Sequence, residues 1–324
     1  MKNLKFVCAQ PAIPYYVWQV EVMINNFIEM GVNPNQINII CSVSENTIPS
    51  DWKKLLNHYI GVNFFFYGDT RVSKIYPSSI RPNILKQHWE IYPEMSDDTI
   101  FYHDCDIAFT KPISKWVTQE MIQDDNWYGS DTRWYIAHSY IKSKGEDVLN
   151  KMCEIVNIDP KIVEDNELNS IGAQYIMKGI TSKFWEKVER DSEKLFTDIT
   201  ELTNQKVQLD RRTMPPGESR IPYHPIQIWC ADMWAVLWNG WKMGYKTICH
   251  ENLEFSWATS PKNSWNTFNI FHNAGVVNSE TGLFYKAYYM NKLPYKENLN
   301  IKEGTTSYHY WKLIQKTGDK SVLL

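Results

Sequence analysis

Short apolar runs of β-forming residues alternate with segments of helical spacing through the first 110 residues, and few folds accept that order. Residues 4–9 read as a strand. Val20, Met23, Ile24, Phe27 and Ile28 then recur at helical spacing until Gly31 and Pro34 close the helix. INIICSV (37–43) and VNFFFYG (62–68) are the next strands, with a helix around Trp52 to Tyr59 between them. SSIRPNILKQHWEIY (78–92) places serine before a proline-initiated helix. It leads into TIFYHDCDIAF (99–109), where the apolar run Ile100 to Tyr102 breaks at His103 into Asp-Cys-Asp. Units joined this way build an α/β sheet of the doubly wound kind, whose ligands sit just past the carboxyl ends of the strands. Asp104 and Asp106 fall at that place, and a solvated turn is the alternative for two aspartates there.

Beyond residue 110 the alternation loosens. WYIAHSYI (134–141) and GAQYIMKGI (172–180) read as strands, and 181–203 and 229–241 as helices. QLDRRTMPPGESRIPYHP (208–225), with adjacent prolines and a glycine, reads as a long surface loop. The last twenty-odd residues show little apolar periodicity and read as a peripheral extension. The expected division is a nucleotide-binding half at 1–110, a second half at 111–290 and an extension at 291–324.

A chain of 324 residues with 43% hydrophobic content has the means to bury a sizeable core. Its formal charge of -3 gives no global reason for a polyanionic partner, although a local basic patch is compatible with that average. Aromatic residues reach 14%, with 14 Trp and 19 Tyr, more than core packing usually needs, which hints at a planar or saccharide ligand. Cys8, Cys41, Cys105, Cys153, Cys230 and Cys249 lack metal-type spacing and read as reduced thiols. MKNLKFVCAQ enters a strand at once, and no stretch approaches a membrane span, so a soluble protein of the cytoplasm, or of a host cytoplasm if viral, is expected.

The chemistry rests on four stretches. Asp104 and Asp106, two residues apart at a strand end, point the same way and offer carboxylate oxygen to a hard cation such as manganese or magnesium, which neutralises a nucleoside diphosphate. FNIFHNAGV (268–276) is a second apolar strand, ending in His272 and followed by Asn273, Ala274 and Gly275. As a third ligand the imidazole favours manganese; a structural histidine bonded to backbone is the alternative. Lys286, in GLFYKAYY, is close enough in sequence to reach a diphosphate leaving group.

The order FYHDCD, NSIGAQYIMKG, WCADMWAVLWNG and FHNAG…FYK resembles the metal-dependent glycosyltransferases of the GT-A fold, in particular the group of plant hydroxyproline arabinosyltransferases and peptidyl serine galactosyltransferases with their bacterial and viral relatives. It covers roughly residues 4–290. The resemblance implies a Rossmann-like α/β fold with a central mixed sheet flanked by helices. It also implies retaining transfer of a pentose or hexose, such as arabinose or galactose, from a uridine diphosphate sugar to a hydroxyl, with Asp104, Asp106 and His272 holding manganese. Asp232 stands where relatives often carry Glu.

The resemblance also places Asp232 at the reacting carbon, where a carboxylate steadies an oxocarbenium-like centre; charge complementarity at a helix start is the alternative. Gln174 offers an amide to a donor-sugar hydroxyl, against a plain buried strand. The 10–19 loop, from Gln10, lies where a base binds, and Tyr15, Tyr16 or Trp18 supplies a ring to stack uracil. Arg81 and Lys86 face phosphate or ribose, or solvent. Asp131 is placed for a donor-sugar hydroxyl, and Gly275 lies near the donor.

Three function classes follow: a glycosyltransferase, a metal-dependent phosphohydrolase or nucleotidyltransferase, and a non-catalytic saccharide- or nucleotide-binding protein. The acceptor is a glycan, a protein or peptide, or a hydroxymethylated base of viral DNA. For DNA, Arg211, Arg212 and Arg220 offer phosphate contacts.

Overall fold

The computed structural model describes residues 4–213, 222–277 and 282–324. Among them the strands are β1 (Leu4–Pro11), β2 (Ile37–Val43), β3 (Asn63–Gly68), β4 (Thr99–Tyr102), β5 (Ile107–Phe109), β6 (Trp127–Asp131), β7 (Ile171–Met177), β8 (Thr247–Cys249), β9 (Phe255–Trp257) and β10 (Ile270–His272). Seven form one sheet in the order β3-β2-β1-β4-β7-β6-β8. Only β7 opposes the rest: it pairs antiparallel with β4 and β6, while the other pairings are parallel. The expected central mixed sheet flanked by helices is the observed architecture. A small second sheet, β5-β10-β9, stands beside it.

Strand period puts alternate side chains on opposite faces, and β1 is apolar on both. Phe6 and Cys8 join a core with Trp18, Phe27 and Trp52, whereas Val7 and Ala9 join one with Ile84, Leu85 and Trp89. The first core is covered by the Pro14–Glu29 helix, the second by the Ile80–Ile91, Ser182–Thr213 and Ala231–Lys242 helices. The chain leaves β1 towards β2 on one side and returns to β4 on the other. The carboxyl ends of β1 and β4 therefore flank the crevice where such sheets bind ligands.

Four expectations need correction. Residues 134–141 are not a strand but two short helices, Arg133–Ile136 and His138–Lys142, because the N–H groups of Tyr135 and Ile136 both turn back to the Thr132 carbonyl. The first helix starts at Pro14, whose fixed φ suits a first helical position, so Tyr15 and Tyr16 lie on a helical turn rather than in a loop. Part of the expected 208–225 loop is helical, since the Ser182–Thr213 helix runs on through both Arg211 and Arg212; Arg220 lies outside the described residues. The tail does not lie at the periphery: the Thr306–Gly318 helix buries Tyr310, Trp311 and Ile314 in the first core.

The aromatic excess is mostly core. Trp18, Trp52, Trp89, Trp127, Trp185, Trp234, Trp238 and Trp311 are fully buried, whereas Trp134 and Trp229 are 64% and 56% exposed and need another explanation. The six cysteines are free, five of them buried. Among the described residues no helix is long and apolar enough to cross a membrane.

Candidate active site

Strand pairing brings the distant residues together. β5 begins immediately after Asp106 and pairs antiparallel with β10 in a register that sets His272 opposite Ile107. The Asn273 N–H donates to the Asp106 carbonyl at 2.9 Å, which seals the junction. His272 Nε2 then lies 3.2 Å from Asp106 Oδ1 and 3.5 Å from Asp104 Oδ2. Neighbouring ligands of a six-coordinate ion with bonds near 2.1 Å are about 3 Å apart, so this oxygen, oxygen, nitrogen set fits a hard or borderline divalent cation. Among the described residues it is the one such cluster of three.

Two cations balance the carboxylates. Lys286 Nζ bonds Asp106 Oδ2, and Arg81 Nη1 lies 2.6 Å from Asp104 Oδ1 and 3.7 Å from Asp232 Oδ2. Burial alone raises the Asp106 carboxyl, yet the Lys286 ammonium beside it holds it far below the usual range. Burial likewise disfavours the Lys286 ammonium, and Asp106 more than compensates. Both groups are thus charged at neutral pH.

Arg81 and Asp104 form a partition between two cavities. On one side lie Ala9, Gln10, Tyr15, Tyr16, Gln19, Asp106 and Lys286. Gln10 is 3% exposed and gives its amide N–H to Cys41 Sγ at 3.3 Å, which leaves its Oε1 without a partner. Tyr15 and Tyr16 meet edge to face at the first turn of the Pro14–Glu29 helix. Trp18, the third ring expected near a base, is instead a core residue whose indole donates to the Tyr289 carbonyl.

On the other side lie Ser78, Tyr102, Ala173, Tyr175, Trp229, Asp232 and Met233. Burial raises the Asp232 carboxyl, against the pull of Arg81 and Tyr76. The Tyr76 hydroxyl lies 2.6 Å from Asp232 Oδ1 and 2.7 Å from the Trp229 carbonyl. A hydroxyl has one proton, so Tyr76 donates to one of these two acceptors at a time.

Other expected site residues lie elsewhere. Lys86 pairs with Glu189 at 3.0 Å, and Asp131 is clamped by Arg133, whose Nε lies 2.9 Å from Oδ1; neither lines the two cavities. Gln174 is fully buried, between Ser130 and His272, and its amide turns away from the cavity that Ala173 and Tyr175 line. Gly275 has φ of 87°, the conformation glycine adopts readily, and packs by Trp257. Tyr76, Ser130, Tyr175 and Gln19 were not identified from the sequence. None lies in a spacing pattern; only folding brings them here.

No protein-family model matches the sequence, and no curated protein matches it. Solved structures share part of its backbone path, three among them being the following. WbbM, a bifunctional glycosyltransferase, is 10% identical with a TM-score of 0.49; the match covers 99% of this chain and 52% of that one. The galactosyltransferase LgtC, solved with donor and acceptor sugar analogues, is 11% identical with a TM-score of 0.43, covering 95% of each chain. Mouse xyloside xylosyltransferase 1 is 10% identical with a TM-score of 0.41, covering 83% of this chain and 97% of that one.

Proposed function

We propose that this protein is a glycosyltransferase that moves a sugar from a uridine diphosphate sugar to a hydroxyl acceptor, with a divalent cation held by Asp104, Asp106 and His272. The observation that carries the reading is the partition: a carboxylate-histidine cluster with Lys286 and Arg81 stands at the carboxyl ends of β1 and β4, with one cavity on either side. One cavity takes the nucleotide and the other the sugar. The bond that breaks then lies at the divide, beside Arg81.

On the nucleotide side, the unpartnered Gln10 Oε1 accepts an N–H, which the uracil imide possesses, and Tyr15 or Tyr16 supplies a stacking face. The cation, when bound, neutralises charge developing on the diphosphate. Lys286 and Arg81 add hydrogen bonds to the same oxygens, and they are worth most where that charge develops in the transition state. As the bond from the sugar carbon to the phosphate oxygen breaks, the acceptor oxygen attacks that carbon on the same face. The acceptor's proton passes to the departing phosphate oxygen, so retention needs no separate base. Asp232, at the sugar cavity, orients a hydroxyl or steadies the positive carbon.

The exposed Trp134 and Trp229 support a saccharide acceptor. Trp134 meets Tyr135 at 4.5 Å and Trp257 at 6.1 Å, and Tyr135 stacks with Trp229, giving an aromatic rim from His272 round to Asp232. Flat rings of this kind suit the apolar face of a sugar. The narrower kinship with hydroxyproline arabinosyltransferases and peptidyl serine galactosyltransferases rests on the quoted motifs alone.

A panel of uridine diphosphate sugars with manganese, monitored for release of uridine diphosphate, tests the reading before any acceptor is known. Slow release from one or two donors is expected. No release and no donor binding across the panel would sink it.

A further inference from the structure

Gln174 and Ser130 lie outside both cavities, yet they are joined to the proposed metal site. Gln174 and Ser130 are fully buried and His272 nearly so, so internal partners must satisfy their polar atoms. Ser130 Oγ is 2.6 Å from one end of the Gln174 amide and 2.6 Å from the Leu253 carbonyl. The other end of that amide is 3.4 Å from His272 Nδ1.

The two ends of a carboxamide have the same shape, and the count of protons decides which faces which. With its oxygen towards Ser130, the amide would need the single hydroxyl proton that the Leu253 carbonyl also needs. Its NH₂ would then face Nδ1 as a donor, forcing the imidazole proton onto Nε2, the atom turned to Asp104 and Asp106. With its oxygen towards His272 every contact is satisfied: Nδ1–H donates to Gln174, the Gln174 NH₂ donates to Ser130, and the Ser130 hydroxyl donates to Leu253.

The backbone is shaped for this. The β6–β7 register shifts between Gly129 and Ser130, and Ala173 adopts φ of 61°, unusual for a residue other than glycine. An irregularity of this kind re-aims side chains, and here it sends Gln174 towards His272 while Ala173 and Tyr175 line the sugar cavity.

We infer that Gln174, braced by Ser130, is a positioning residue that fixes the His272 tautomer with Nε2 unprotonated and aimed at the cation. The inference rests on the metal reading above. Partners that orient a ligating histidine typically change metal affinity by about 10- to 100-fold when removed.

The test compares Gln174→Leu, which removes the acceptor, with Gln174→Glu, which keeps one, by titrating manganese into the full chain and following free Mn²⁺ by electron paramagnetic resonance. The Leu variant should bind about 10- to 100-fold more weakly. The Glu variant, which still accepts from Nδ1–H but no longer donates to Ser130, should weaken binding less than the Leu variant. Parent-like affinity in a folded Leu variant, or equal weakening in both, overturns the relay and leaves the metal site standing. A parent chain that binds no Mn²⁺ removes the metal reading and the relay with it. Should the Leu variant fail to fold, long-range ¹H–¹⁵N spectra of the parent with Mg²⁺ decide: an Nδ1-protonated His272 is expected, and an Nε2-protonated ring refutes the proposal.

Discussion

The N–H of Asn273 donates to the carbonyl of Asp106 at 2.9 Å, tying together two residues that flank different strands and lie far apart in the chain. Because β5 and β10 are held in register at this point, His272 has little choice but to face both aspartates. Asp106→Asn and His272→Ala should each lower transfer by about 10² to 10³, because the cation loses the charge of one ligand in the first and a whole ligand in the second while the strand pairing stays. Calorimetric titration with manganese should show weaker binding in both, with unfolding temperatures near the parent for His272→Ala. Full activity with manganese in either variant contradicts the site.

Lys286 pairs with Asp106 and lines the cavity proposed for the nucleotide, so its contribution should appear where charge develops on the leaving diphosphate. Lys286→Gln should reduce kcat by about 10² while the donor KM changes less, the pattern of an interaction made mainly in the transition state. Steady-state kinetics with donor and acceptor varied separately read this directly. A rise in KM at constant kcat would instead make Lys286 a ground-state binding residue.

The first third of the chain, up to Asp106, is legible because it is locally encoded: apolar runs, helical spacing and proline starts each act over a few residues. Asp104, Asp106 and His272 stand out for the same reason, as polar residues at the ends of apolar strands, and Lys286 follows in an aromatic run. Gln174 was noticed but assigned to the donor sugar, since no local signal says that an irregular β6–β7 register turns its amide towards His272. The helices at Arg133–Ile136 and His138–Lys142 carry aromatic and β-branched residues typical of strands, and packing overrode that preference. The Thr306–Gly318 helix was missed because its apolar stripe, Tyr310, Trp311 and Ile314, is narrow and broken by polar residues.

That tail is part of the core, and its removal should show it. Trp311 is 2% exposed and stacks on Phe284 with ring centres 5.5 Å apart. Trp311→Ala should cost about 3–5 kcal/mol, the usual range for truncating a buried Trp. Urea unfolding measures it; a change below about 1 kcal/mol would mean that the helix is dispensable.

His88 gives the fold a dependence on pH that is separate from catalysis. Burial lowers its imidazole to about 4, and Tyr67 lies against Nδ1 at 2.7 Å while Nε2 has no partner. The unfolded chain takes up this proton near pH 6.5 and the folded chain only near 4, so the unfolded state binds more protons between those values. Stability from this group is therefore intact above about pH 6.5 and is lost as pH falls towards 4, by at most about 3 kcal/mol. His88→Phe, which keeps a ring beside Phe65 and Tyr92, should flatten that part of the profile. Urea midpoints at pH 5 and pH 7.5 in both proteins test it, and an identical drop in each assigns the pH effect to other groups.

Trp134 and Trp229 separate a saccharide acceptor from a nucleic acid. If the aromatic rim receives a sugar ring, Trp134→Ala and Trp229→Ala should each raise the acceptor KM by about tenfold, a loss of about 1.4 kcal/mol, while the donor KM moves little. Sugar contacts carry no net charge, so the effect should be nearly independent of salt. A nucleic acid acceptor predicts otherwise: binding should fall steeply with salt, and changing Arg211, Arg212 and Arg220 to Ala should flatten the slope by about one per lost phosphate contact. Measuring acceptor KM for the Trp variants, and duplex binding across salt for the parent and the triple Arg variant, sets the two against each other. Trp229 lines the cavity that holds Asp232, and Trp134 joins it through Tyr135, so two exposed rings stand together on one side of that cavity, an arrangement that favours the saccharide.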